Sequence, residues 1–161
     1  MKKTILIAVV CMISANLFSQ TYKLETVFTD KFPETYLSHW KVLESTNINQ
    51  VDTFSLWGYQ RYFDDWVDGV YEVEYYKGNA KETYLFLNQL IGFSEKYKEE
   101  DKVLTYISGV QVKIFKQLGF KFTLVYDKDR KVSCKINQKQ WTEMLDKFVL
   151  YCEQQKIVYT E

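Results

Sequence analysis

The sequence predicts an α+β fold: an antiparallel sheet of about five strands, with two main helices at about 80–99 and 138–154 packed largely on one face. Three observations predict it. Residues 110–136 alternate apolar and polar side chains in three runs broken by turn residues. Two apolar stripes at helical spacing begin just after Asn79 and Asn137. Nearly half of the residues are apolar and 17% are aromatic, too many for a disordered chain.

The first twenty residues read as an address. Lys2 and Lys3 precede a near-unbroken apolar run, Ile5 to Ile13, and then the small residues Ser14, Ala15 and Ser19. This is the layout of a secretory signal peptide, short for a membrane span. The expectation is a leader over 1–20, cleaved before Gln20 or Thr21, and one globular domain over 21–161. The expected address is export, periplasmic or secreted. No second apolar stretch long enough to span a bilayer follows, so no transmembrane segment is expected after cleavage. Without Lys2 and Lys3, 19 basic residues face 21 acidic ones, a net charge of −2. That balance predicts no general attraction to nucleic acid or anionic lipid.

Along the domain, Tyr22 to Phe28 suits an opening strand. Pro33 suits a first helical turn, and Phe32, Tyr36, Trp40 and Leu43 follow at helical spacing, so a helix is expected there. A strand through Trp40 and Val42 is the rival. Phe54 to Trp66 fits helix and strand equally well. Asp68-Gly69 signals a turn, and Tyr71, Val73 and Tyr75 then alternate with Glu72 and Glu74 as in a half-exposed strand. Asn79 with Glu82, and Asn137 with Gln140, are placed to cap the two helices reciprocally. Phe86, Leu90, Phe93 and Tyr97 form the stripe of the first helix, widened by Leu85, Leu87 and Ile91. Trp141, Leu145, Phe148, Val149 and Cys152 form that of the second. Between them, Val103 to Ile107 adds a strand to a meander. Its core faces are expected to be Val110, Val112 and Ile114, then Phe120, Phe122, Leu124 and Tyr126, then Val132, Cys134 and Ile136.

Cys134 and Cys152 invite a disulfide in an exported chain. If the second helix folds back over its strand, Cys152 overshoots Cys134 by about 10 Å at roughly 1.5 Å per helical residue. A disulfide tolerates only about 7 Å between Cα atoms, so two buried free thiols are expected.

Little in the chain carries recognisable chemistry. His39 is the only histidine, which excludes His-rich metal sites and leaves one candidate for any nucleophile–His pair. It is expected on the solvent side of its helix. No phosphate-binding glycine motif occurs, and no cofactor or metal is expected. Asp64, Asp65 and Asp68 lack the spacing of a calcium loop and read as a solvated turn. Glu72 and Glu74 lie two apart on one strand face, a spacing that glycoside hydrolysis tolerates and exposed strands carry routinely.

Two binding faces stand out. Lys113, Lys121, Lys131 and Lys135 fall on the expected polar side of the meander, a local basic patch for an anionic partner or simply a solvated face. Trp57, Tyr59, Tyr62 and Trp66 belong to a segment dense in amphipathic aromatic residues, which favour interfaces and sugar-stacking platforms. The function expected is a non-catalytic binding or interaction module of the cell envelope, with an envelope protein or glycan as partner and no nucleic acid. A small carboxylate-based hydrolase and a purely structural envelope component are the alternatives.

Overall fold

The computed structural model describes residues 21–30, 35–44, 52–64, 67–97 and 102–160. The signal-peptide expectation therefore lies outside the described residues. The elements run β1 (Thr21–Asp30), β2 (Thr35–Glu44), β3 (Thr53–Asp64), β4 (Val67–Asn79), α1 (Ala80–Lys96), β5 (Lys102–Ile107), β6 (Val110–Gln117), β7 (Phe120–Tyr126), β8 (Ser133–Ile136) and α2 (Gln138–Gln155). The class is α+β, but the strands form two four-stranded antiparallel sheets, β1-β2-β3-β4 and β5-β6-β7-β8, rather than one sheet of about five.

The extra strands come from the segment expected to be helical. Tyr36 and Trp40 are four residues apart, an even number, so they share a face in a strand as well as in a helix. Residues 35–44 pair with β1 and β3 as β2, with Leu37 and His39 on the buried side. The ambiguous segment after it is β3. Asp68-Gly69 lies inside β4, because β3 and β4 pair as far as Asp64 opposite Val67.

Two irregularities shape the first sheet. The register shifts between Thr26 and Phe28, which lets adjacent Val27 and Phe28 both pack on the core. A second shift leaves Tyr75 as an extra residue between the pairs Leu56–Tyr76 and Trp57–Glu74. Tyr75 is buried, with a ring atom 2.9 Å from where a Cβ of Gly58 would lie, so β3 needs glycine there.

Both helices start where expected. Glu82 N–H donates to Asn79 Oδ1 at 3.0 Å and Asn79 N–H to Glu82 Oε2 at 2.8 Å. Gln140 N–H donates to Asn137 Oδ1 at 2.9 Å and Asn137 N–H to Gln140 Oε1 at 2.8 Å. The helices pack antiparallel. Gln138 at the start of α2 reaches Glu95 near the end of α1 at 3.1 Å, and Tyr159 past α2 meets Tyr84 of α1 at 5.2 Å.

The helix pair fills the space under both sheets. Phe148 of α2 meets Phe54 of β3 edge-on at 4.9 Å, and Phe86 of α1 stacks on Tyr76 of β4 at 3.9 Å. Ser94 of α1 and Thr123 of β7 share a buried 2.6 Å hydrogen bond. Phe54, Phe86, Trp141 and Phe148 are fully buried. Each such side chain contributes about 1.5–3 kcal/mol by leaving water. Leu85, expected to widen the apolar face of α1, is exposed.

One strand of the meander faces the other way from expectation. Val112, Ile114, Cys134 and Ile136 are buried as expected, but in β7 the buried residues are Thr123 and Val125. Phe120, Phe122, Leu124 and Tyr126 take the outer side. The cause is the loop length. Leu118-Gly119 is a two-residue loop, so Gln117 pairs with Phe120 and Ile114 with Thr123, and directly opposite residues share a face.

Candidate functional site

The reversal of β7 divides the four lysines. Lys113 and Lys135 lie on the outer face of the second sheet, in a cross-strand row Leu104–Lys113–Leu124–Lys135. Lys135 Nζ sits 3.9 Å over the Phe122 ring and donates to Gln117 Oε1 at 2.7 Å. Lys121 belongs to the inner side of β7, and its Nζ is buried with no hydrogen-bond partner among the described residues. Lys131 is an exposed residue of the β7–β8 connection, 3.9 Å from Asp129. The four lysines therefore do not form one patch. The outer face carries Leu104 and Tyr106, each more than half exposed, with lysines between apolar side chains.

The aromatic segment splits as well. Trp57 and Tyr59 do lie on one face, the outer side of the first sheet. Tyr36 stacks on Trp57 at 6.4 Å and meets Tyr59 at 5.7 Å, while Trp40 meets Trp57 at 6.3 Å. Lys77 Nζ lies 5.1 Å over the Trp40 ring. Trp57 Nε1 is buried without a partner among the described residues. Tyr62 and Trp66 lie outside the residues whose side chains are described.

Next to this platform a crevice of about 310 Å³ opens where β4 meets the β5–β6 and β7–β8 turns. Glu74 and Lys77 of β4 form one wall, and Tyr106, Gln111, Tyr126 and Arg130 form the other. Glu74 lies opposite Trp57 and Lys77 covers Trp40, so platform and crevice are continuous. Two features of the crevice are unusual. Gln111 Oε1 is buried with no hydrogen-bond partner among the described residues. Arg130 adopts a left-handed backbone, φ 60°, and holds its guanidinium 5.5 Å over the Tyr106 ring. Asp127, also at the crevice, is committed to its own turn, accepting from Val132 N–H at 2.8 Å and Asp129 N–H at 3.3 Å. No local motif signals this site, because its walls come from three separate hairpins.

His39 is not solvent-facing but 1% exposed, because its segment is a strand whose odd-numbered residues point inward. His39 Nε2 is 2.9 Å from Asp52 Oδ1 and Nδ1 is 2.8 Å from Tyr151 Oη, which donates to Glu25 Oε2 at 2.6 Å. Burial lowers the proton affinity of His39, against a smaller opposing pull from Asp52. The Tyr151 hydroxyl, helped by Lys23, holds Glu25 down at about 2. The imidazole is too enclosed to meet a substrate, so the network ties β1, β2 and the start of β3 to α2.

Glu72 and Glu74 do not converge on one cavity. Glu74 lines the crevice, while Glu72 accepts a hydrogen bond from the Tyr36 hydroxyl, on the aromatic platform. Cys134 and Cys152 are free and buried, and burial pushes both thiols up to about 12, which makes them unreactive near neutrality. Among the described residues no three or more His, Cys, Asp or Glu side chains gather as a metal site, and no helix is long and apolar enough to cross a membrane. No family model matches the chain, and no curated protein and no solved structure matches it either.

Proposed function

We propose that the chain is an exported, non-catalytic binding module that takes a saccharide of the cell envelope in the crevice between β4 and the turns of the second sheet. The observation that carries this reading is the buried, unpaired carbonyl oxygen of Gln111. A buried acceptor without a donor costs about 1–3 kcal/mol, which a ligand hydroxyl would recover. The stacked Tyr106–Arg130 pair and Tyr126 offer flat side chains to a sugar ring, and Lys77 and Glu74 offer polar edges around it. The same cavity argues against hydrolysis. Of the two glutamates on one strand face only Glu74 reaches it, and Asp127 is held by its own turn, so among the described residues no second free carboxylate faces Glu74.

Calorimetric titration with neutral N-acetylglucosamine oligomers and with an acidic oligosaccharide of equal length tests the reading. Tyr106→Ala and Gln111→Leu are expected each to weaken binding about tenfold, roughly 1.4 kcal/mol. Glu72→Gln is expected to leave it unchanged. Absence of binding to both ligand classes would overturn the proposal. Release of reducing ends that Glu74→Gln abolishes would establish the hydrolase instead.

A further inference from the structure

The β6–β7 hairpin tip places apolar side chains where folding gains nothing from them. Leu118 and Gly119 both have positive φ, 51° and 83°. Such a two-residue loop favours asparagine or glycine at its first position, and a leucine there is strained. Leu118 is nevertheless 91% exposed, and Phe120, across the loop from Gln117, is 69% exposed. The surroundings are basic although the protein as a whole is not. Residues 102–126 hold not one acidic residue, and Lys102 and Lys113 lie on the outer face of their strands. Lys135 joins them over Phe122, and Lys102 lies opposite Phe115. Approaching the tip, the outer face thus passes from lysines among half-buried phenylalanines to an uncharged apolar point.

We infer that this tip is an interfacial wedge for an anionic lipid bilayer: Leu118 and Phe120 enter the headgroup boundary while the lysines behind them meet lipid phosphates. The shape selects lipid over protein. Two side chains on a convex loop cannot supply the roughly 800 Å² per partner that a stable protein interface buries. A fluid bilayer deforms around a small apolar point, and lysine stems extend along it with their ammonium groups in the headgroup layer. The local charge complements an anionic surface over the short range that salt leaves unscreened, about 8 Å at physiological ionic strength.

Sedimentation of the protein with vesicles of phosphatidylcholine, alone or with about one-third phosphatidylglycerol, is the test. Binding is expected at least about tenfold tighter to the anionic vesicles, and weaker in high salt. Leu118→Asn and Phe120→Thr are each expected to weaken it about tenfold. Asparagine tolerates the left-handed backbone, so Leu118→Asn is expected not to lower the melting temperature. Leu118→Trp is expected to add blue-shifted emission, relative to the parent, on anionic vesicles only. Unchanged binding in both tip variants overturns the wedge, as does anionic binding without the blue shift, which is adsorption by lysines alone. No vesicle binding, with the same variants losing capture of an acidic protein, overturns it in favour of a protein partner. Tyr106→Ala at the crevice is expected to leave vesicle binding unchanged, and a loss there overturns the tip as the contact. Failure of the wedge leaves the saccharide reading standing, because the two readings share neither residues nor ligand.

Discussion

Four side chains under the first sheet, Asp52, His39, Tyr151 and Glu25, make three successive polar contacts. Three contacts need three protons, and the tyrosine with a neutral imidazole supplies two. A third proton on His39 would complete the chain, but burial opposes it, so the His39 value falls below its ordinary 6.5. The folded state therefore holds fewer protons on His39 than the unfolded state does in mild acid, and stability drops as pH falls through 6.5. Glu25 adds a second step of the same sign. Its contribution is complete above 4.5 and is lost as pH falls toward about 2. Urea midpoints at about pH 7, 5 and 3 are expected to decline in that order. In Glu25→Gln the lower step should flatten while the upper one stays. A variant profile that parallels the parent at every pH would show that Glu25 does not carry that step.

At the scale of single elements, short connections and caps decide geometry. The loop Leu118-Gly119 sets which face of β7 is buried, and it places Thr123 against Ser94 in the core. Each helix is started by an asparagine that satisfies an otherwise open N–H, and removing such a cap costs about 1 kcal/mol. The two caps are not equivalent. Gln140, the partner of Asn137, also donates to Asp30 of β1, so the second box joins a helix to a sheet edge. Glu82, the partner of Asn79, sits at an exposed helix start. Asn137→Ala is expected to cost about 1–2 kcal/mol and Asn79→Ala about 0.5–1 kcal/mol, measured by chemical denaturation. Equal losses would mean that the tie to Asp30 adds nothing.

The whole molecule repeats one plan: four antiparallel strands followed by a capped helix, once over β1 to α1 and again over β5 to α2. The repeat is not two independent bodies, because both helices pack on the first sheet and α1 also reaches the second. The second helix covers the first sheet, with Phe148 on Phe54 and Tyr151 on His39, while α1 reaches the second sheet through Ser94. Gln60 of β3 also donates to the Ser133 carbonyl of β8 at 3.3 Å. Residues 21–97 expressed alone would expose Leu37 and Phe54, both buried here. That fragment is expected to show no cooperative urea transition by tryptophan fluorescence, and to regain one on mixing with residues 98–161. A sharp transition for the isolated fragment would mean that the first unit has a core of its own.

What the sequence determined by itself is whatever rests on near neighbours. Both helix starts were legible because a cap bonds to backbone three residues away. The strands β4 to β8 were legible from alternation, and the free thiols from arithmetic along one strand and one helix. The tertiary structure decided the rest, because those outcomes depend on what lies opposite. Tyr36 and Trp40 fit strand and helix alike until β1 and β3 supply the hydrogen bonds. Phe122 and Leu124 outweigh Thr123 and Val125 in apolar character, yet pairing with β6 turns the smaller pair inward. His39 is buried because Tyr151, 112 residues later, arrives to accept it. The crevice exists only where Glu74, Gln111 and Arg130 meet from separate hairpins. Such long-range contacts leave no periodicity in the chain, since what places them is the closing of the fold.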